Sequence, residues 1–161
     1  MSYLTIDSVK IHYQLIEPNV GVDAPCVVFI HGLIMDNLSS WFFTIANSAA
    51  QSARVVAYDL RGHGFSTRPK TGYQIQDHLE DFKQLIDTVS PEAPVILVGN
   101  SFGGLVALNF AVQYSQRVKG LVLVDAQVND EAWKTQMLAS FSLQGVERDR
   151  MVEDNFQNWL G

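Results

Sequence analysis

The chain of 161 residues has little cysteine, few basic residues and no long apolar run. Its single cysteine, Cys26, excludes an internal disulfide framework and a cysteine-rich metal site. Its 11 Lys and Arg residues against 17 Asp and Glu residues give a net charge of −6, which provides no basic surface for nucleic acid. No apolar run approaches the roughly 18 residues of a transmembrane helix, and the first residues lack a signal-peptide layout. We therefore expect a cytoplasmic protein without a nucleic acid or membrane partner.

The hydrophobic pattern predicts an α/β fold built on a mostly parallel sheet. Residues 3–15 alternate with period two on either side of Asp7 and Ser8, which predicts an N-terminal antiparallel hairpin. Four apolar runs of strand length follow it, and runs apolar on both faces are typical of central strands. These runs are Cys26–Ile30, Arg54–Tyr58, Val95–Val98 and Leu121–Val124.

Helical segments lie between these runs, and their alternation with strands predicts helices on both faces of the sheet. Residues 74–89 place apolar side chains at 4-3-4-3 spacing, which predicts one amphipathic helix. Helices are also expected at Trp41–Ala50 and Phe102–Tyr114. Residues 129–160 are more polar and predict two helices broken near Gly145, with no further strand.

The strongest chemical signal is a G-x-S-x-G motif formed by residues 99–103, Gly99-Asn100-Ser101-Phe102-Gly103. It directly follows a predicted strand and directly precedes a predicted helix. In that context the serine occupies a strained turn, and its hydroxyl projects above the sheet as a nucleophile. The two glycines are needed because neighbouring backbone passes too close for a Cβ. The other interpretation is an ordinary glycine-rich turn.

A second motif, His31-Gly32-Leu33, follows the strand at 26–30. Because the carboxyl ends of parallel strands meet at one edge of the sheet, this loop should lie beside Ser101. We assign the N–H groups of Leu33 and Phe102 to an oxyanion hole. His31 is predicted to brace its own loop through hydrogen bonds instead of acting as a base.

A third motif, residues 59–66 (DLRGHGFS), follows the strand at 54–58. Asp59 and Arg61 could pair with each other or with nearby backbone, and the glycines permit a tight turn. This segment is predicted to be loop architecture near the site and not part of the chemistry.

The three motifs, in this order and context, resemble the α/β-hydrolase fold family over residues 1–126. The resemblance implies a serine hydrolase that acts on carboxylic ester, thioester or β-diketone-like C–C bonds of a small molecule, without a metal or an organic cofactor. Asn100 before the nucleophile is similar to carbon–carbon bond hydrolases, although esterases and thioesterases also carry it. Serine at position 101 argues against the dehalogenase and epoxide-hydrolase branches, which use a carboxylate nucleophile.

The family triad runs in the order Ser, Asp or Glu, His, but no histidine follows Ser101 in this chain. The four histidines are His12, His31, His63 and His78, and we expect the last of them to be solvated. Asp125 is either an alternative acid or a turn residue. The resemblance implies that two distal strands, the usual acid and the histidine lie beyond residue 161, with residues 127–161 as the start of a helical cap.

These departures leave three interpretations open. The chain is a hydrolase impaired by truncation, a non-catalytic ligand-binding protein, or a fragment that a second polypeptide completes. The last predicted strand would form an apolar sheet edge, which predicts a homo-oligomer or poor solubility.

Overall fold

The computed structural model describes residues 2–18, 24–34, 36–126, 135 and 142–160. These residues form six strands: β1 Ser2–Ile6, β2 Val9–Ile16, β3 Cys26–Ile30, β4 Arg54–Tyr58, β5 Val95–Asn100 and β6 Val118–Val124. A helical segment, α1, spans residues 39–49. The longer helices are α2 Ile75–Val89, α3 Phe102–Gln113 and α4 Gly145–Leu160, and a 3₁₀ turn spans Ser115–Arg117.

The six strands form one sheet in the order β1-β2-β4-β3-β5-β6. β1 and β2 form the predicted antiparallel hairpin, and its turn places Asp7 at φ 52°. β2 also pairs antiparallel with β4, whereas β4, β3, β5 and β6 are parallel. The predicted α/β class and mostly parallel sheet are therefore confirmed.

Helices cover both faces of the sheet because side chains alternate along its central strands. On β3, Val28 and Ile30 face the core that α2 and α3 cover, whereas Phe29 faces the core beneath α1. The side chains of β4 also alternate: Val56 packs in the core under α2 and α3, and Val55 packs in the core under α1. The sheet is thus apolar on both sides, and its carboxyl edge carries the loops that contain the motifs.

The helix predicted at residues 41–50 is present with an internal irregularity. α1 consists of an α-helical turn at Ser39–Trp41, a π-helical stretch at Phe42–Ala46 and a second α-helical turn at Asn47–Ala49. The side chain of Asn47 donates a hydrogen bond to the carbonyl of Phe42 at 2.6 Å, which is one of the local bonds that compete with a regular α-helical ladder.

The chain divides into two units, Met1–Gln127 and Val128–Gly161. The first unit contains the sheet, α1 to α3 and every candidate site residue. In the second unit, α4 begins at Gly145, where the break was predicted. The helix predicted before it falls mostly outside the described residues, and the cap assignment stays a prediction. In the described part of the chain, no helix is long and apolar enough to cross a membrane.

Candidate active site

Ser101 occupies a strained turn between β5 and α3. Its backbone has φ 49° and ψ −117°, a conformation that residues other than glycine seldom adopt. The N–H of Ser101 donates to the carbonyl of Val124 at 2.9 Å, which fixes the turn to the neighbouring strand. The side chain is half-buried, and its hydroxyl makes no hydrogen bond to a described residue. No residue in the described ranges therefore occupies the hydroxyl of Ser101.

The glycines of the motif are required by close backbone contacts. A Cβ on Gly99 would lie 2.5 Å from the carbonyl oxygen of Gly103. A Cβ on Gly103 would lie 2.4 Å from the carbonyl oxygens of both His31 and Ile30. The amino end of α3 therefore packs directly on both β5 and the end of β3, and a Cβ at either glycine would collide with this backbone.

The Gly32 loop lies against Ser101, as the parallel arrangement of β3 and β5 predicts. A Cβ on Gly32 would lie 3.6 Å from Cβ of Ser101 and 3.4 Å from Nδ2 of Asn100. The N–H of Gly32 donates to Oδ2 of Asp36 at 2.7 Å. Asp36 thus holds the loop on the side that faces Asn100 and Ser101, a contact that the sequence motifs did not indicate.

The two N–H groups assigned to the oxyanion hole have no partner among the described residues. Phe102 is the first residue of α3, so its N–H has no acceptor within the helix and lies at the positive end of the helix dipole. Leu33 lies in a bend after β3. Neither N–H donates to any residue in the described ranges. Both donors are therefore available to an acceptor bound at Ser101.

His31 is buried and uses both of its ring nitrogens. Nδ1 lies 2.6 Å from the carbonyl oxygen of Gly32, so Nδ1 carries the proton. Nε2 then accepts a hydrogen bond from the N–H of Leu60 at 3.0 Å. Burial lowers the pKa of His31, which favours this neutral ring. With no free nitrogen, His31 joins two loops and is not placed to take a proton from Ser101.

Asp59 and Arg61 do not pair with each other, so that alternative was wrong. The Asp59 carboxylate accepts hydrogen bonds from the N–H groups of Leu38 at 2.8 Å and Phe65 at 2.9 Å. It also contacts Nδ1 of His12 at 2.7 Å. Arg61 instead makes two hydrogen bonds to Asp81, at 2.6 and 2.7 Å, which raise the pKa of its guanidinium. Asp59 thus holds the loop together, and Arg61 joins the loop to α2.

His78 is buried, so the expectation that it is solvated was wrong. It lies in the first turns of α2, and its ring packs edge-on against Phe102 with centroids 5.0 Å apart. Nδ1 of His78 has no hydrogen-bond partner among the described residues. Burial lowers the pKa of His78 to about 4, so the ring is neutral near pH 7. The helical spacing places His78 beside the apolar face but gives no sign of this contact.

Asp125 follows β6 in a bend, is exposed, and has φ 49°. The positive φ is typical of a turn, and the assignment of Asp125 as an alternative acid stays a prediction. In the described residues, no imidazole or carboxylate is hydrogen-bonded to the hydroxyl of Ser101. No group of three or more His, Cys, Asp and Glu side chains in this part of the chain could hold a metal ion.

Comparison with known proteins identifies the family. A family model described as the alpha/beta hydrolase fold matches residues 25–161. The chain therefore belongs to the α/β-hydrolase fold family, as the motifs indicated.

Its relatives include hydrolases with different substrates. The 2-hydroxy-6-oxo-2,4-heptadienoate hydrolase of Pseudomonas putida is 34% identical over 111 residues, which are 67% of this chain and 39% of that protein. Proline iminopeptidase PfmaB of Pestalotiopsis fici is 33% identical over 126 residues, 76% of this chain and 43% of that protein. The chain thus spans less than half the length of either curated relative.

A solved structure supports the same assignment. Est816, described as an N-acyl homoserine lactone degrading enzyme, superposes with a TM-score of 0.70 and 29% identity. The superposition covers 84% of this chain and 52% of that one.

Proposed function

We propose that the chain carries the nucleophile and the oxyanion hole of a serine hydrolase. Its substrate would be a small molecule with a carboxylic ester, a thioester or a β-diketone-like C–C bond. The observation that supports this proposal most is the geometry at Ser101. A half-buried hydroxyl on a strained turn lies beside a loop held against it, and the N–H groups of Leu33 and Phe102 donate to no described residue.

In the proposed reaction, Oγ of Ser101 attacks the carbonyl carbon while its proton passes to a general base. The substrate carbonyl oxygen becomes an oxyanion that accepts hydrogen bonds from the N–H groups of Leu33 and Phe102. Each such donor contributes about 2.7–4 kcal/mol to acyl transfer. Collapse of the tetrahedral intermediate releases the leaving group with a proton. Water then hydrolyses the acyl-enzyme, which frees the acid and restores the serine.

We propose that the general base lies outside these 161 residues. The family places its histidine after the nucleophile, and this chain has none after Ser101. The share of the curated relatives that the chain spans is consistent with this proposal. In a serine protease, removal of the histidine costs about 10⁶ in kcat. The oxyanion hole and binding then leave roughly 10³–10⁴ over the reaction in water.

The residues around the nucleophile favour an acyl-type reaction. Serine at position 101 is inconsistent with a carboxylate nucleophile, and Asn100 resembles the residue found in carbon–carbon bond hydrolases. The relative from Pseudomonas putida is named for the hydrolysis of 2-hydroxy-6-oxo-2,4-heptadienoate. Ester, lactone and C–C substrates are therefore the first ones to assay.

A second candidate function is ligand binding without catalysis. It is favoured by the lack of a base at Ser101 among the described residues. A fluorophosphonate probe separates the two proposals because it forms a covalent adduct only with a reactive serine. A hydrolase forms an adduct on Ser101, slowly because no described residue serves as its base, and its weak turnover of p-nitrophenyl esters disappears in Ser101→Ala. A binding protein retains an ester or its product and forms no adduct.

A further inference from the structure

The oxyanion loop consists of Gly32 and Leu33, which follow β3. His31 and His63 each contact the carbonyl oxygen of one of these two residues. Nδ1 of His31 lies 2.6 Å from the carbonyl oxygen of Gly32, and Nε2 of His63 lies 2.7 Å from that of Leu33. The two rings are neighbours, with centroids 5.1 Å apart. Each carbonyl can only accept a hydrogen bond, so each of these ring nitrogens carries a proton.

The carbonyl contacts determine where the N–H of Leu33 points. The carbonyl of Gly32 and the N–H of Leu33 belong to one planar peptide group, in which they point in opposite directions. A hydrogen bond from His31 therefore sets the direction of that N–H. The carbonyl of Leu33 belongs to the next peptide group along the chain. The hydrogen bond from His63 fixes the orientation of that group, so the peptide groups on both sides of Cα of Leu33 are held.

His63 is itself held firmly enough to act as an anchor. Its N–H donates to the carbonyl of Leu60 at 2.9 Å, and its carbonyl accepts from the N–H of Ser66 at 2.9 Å. Its Nδ1 lies 3.1 Å from the carbonyl oxygen of Arg61, a longer contact than the one to Leu33. The contact to Leu33 is the shorter of the two, so we assign a proton to Nε2 in that hydrogen bond.

We propose that His63 is a positioning residue for chemistry at Ser101, acting through the carbonyl of Leu33. This inference rests on the proposed function and extends it, because it assigns a role to a residue of the segment 59–66 that had been given only loop architecture. His63 touches no reacting atom. Its effect is to keep the N–H of Leu33 aimed at the position where an oxyanion forms, a preorganisation that catalysis requires.

Two substitutions of the full chain test this role. In His63→Gln, the side-chain amide nitrogen takes the place of Nε2 and can still donate to Leu33. In His63→Asn, the amide is too short and replaces only Nδ1. Arg68→Gln is the matched control, because Arg68 donates to the carbonyl of Gly64 at 2.9 Å in the same segment without contacting the oxyanion loop.

The first readout is the rate at which a fluorophosphonate probe labels Ser101. We expect His63→Asn to lower this rate about tenfold or more, since loss of a whole oxyanion donor costs about 10²–10³. The labelling rates of His63→Gln and Arg68→Gln should stay within about threefold of the parent rate, because neither variant displaces the N–H of Leu33. Equal rates for the Asn and Gln variants, or a loss in Arg68→Gln as large as in His63→Asn, would overturn the proposal.

The second readout does not depend on catalysis. The amide resonances of Leu33 and Ile34 in ¹H–¹⁵N spectra report the two peptide groups directly. We expect both to shift in His63→Asn and to return toward their parent positions in His63→Gln. If the parent chain forms no adduct on Ser101 but the resonances behave in this way, the proposed function fails and the positioning role stands. Unchanged resonances in His63→Asn overturn the positioning role.

Discussion

The ring of His78 stands edge-on against the ring of Phe102, the residue that follows the candidate nucleophile, with an interplanar angle of 75°. The contact links the first turns of α2 to the first residue of α3. It therefore supports the backbone that supplies one of the proposed oxyanion donors. In this position, Nδ1 of His78 is buried and has no hydrogen-bond partner in the described part of the chain.

This relationship predicts a pH-dependent stability. The pKa of His78 is lowered from 6.5 to about 4 in the folded chain, so the unfolded chain binds a proton more readily. The contribution of the neutral ring is fully present above about pH 6.5 and is lost as the pH falls through about 4. The total loss is on the order of 3 kcal/mol.

Urea unfolding on both sides of this pH interval measures the effect. His78→Phe keeps an aromatic ring against Phe102 and removes the titrating group. The free energy of unfolding of the parent chain should therefore fall relative to that of His78→Phe as the solution is acidified. Parallel pH profiles for the two proteins would show that His78 does not titrate in this way.

Asp59 is predicted to be a stability residue. Its buried carboxylate accepts hydrogen bonds from two backbone N–H groups and contacts His12. Asp59→Ala leaves the N–H groups of Leu38 and Phe65 and Nδ1 of His12 without this partner, and one buried polar group left unsatisfied costs about 1–3 kcal/mol. Asp59→Asn keeps one acceptor oxygen and should cost less. Chemical denaturation measures both, and a loss below about 1 kcal/mol for the alanine variant would contradict the assigned role.

Gly103 and Gly120 provide a matched pair for the packing of α3 on β3. A Cβ on Gly103 would lie 2.4 Å from two carbonyl oxygens, whereas the nearest atom to a Cβ on Gly120 is 3.7 Å away. Gly103→Ala should therefore lower the free energy of unfolding by about 1–3 kcal/mol or more, the range for overpacking. Gly120→Ala should be neutral or slightly stabilising. Thermal melts of the two variants measure this difference. Equal changes in stability would contradict the close approach of Gly103 to the carbonyl oxygens of β3 and His31.

The edge strand β6 predicts self-association. Val122, Leu123 and Val124 are exposed at 40–48%, and β6 is the last strand of the sheet in the described residues. We propose that this edge pairs with a second copy of the chain, since an apolar edge with unpaired backbone groups is a template for another strand. Val122→Lys should then reduce the mass measured by light scattering. Val112→Lys, at an exposed helix position, is the control. A parent chain that stays monomeric at high concentration contradicts the pairing.

The architecture was predictable because it depends on local pattern. Apolar runs locate the central strands, and the motif at 99–103 places Ser101 on the strand-to-helix turn that the structure contains. The order of the parallel strands then brings Gly32 to Ser101 without further information. Each of these features is encoded within a few neighbouring residues, or follows from the geometry of parallel strands.

The side-chain partners were not predictable, because they join distant parts of the sequence. His12 and Asp59 are 47 positions apart, and His63 and Leu33 are 30 apart. Periodicity cannot indicate which of several polar groups will meet, and it placed His78 at a solvated border instead of against Phe102. The π-helical stretch at Phe42–Ala46 also gives no periodic signal, since a single wide turn leaves the apolar pattern of α1 nearly unchanged.

The most direct test of the account is mass spectrometry of the intact chain after treatment with a fluorophosphonate probe. We predict a single adduct that peptide mapping assigns to Ser101, formed slowly because no described residue serves as its base, and absent in Ser101→Ala. An adduct that persists in Ser101→Ala, or a parent chain that stays unmodified under prolonged exposure, would contradict the role of Ser101 as a nucleophile.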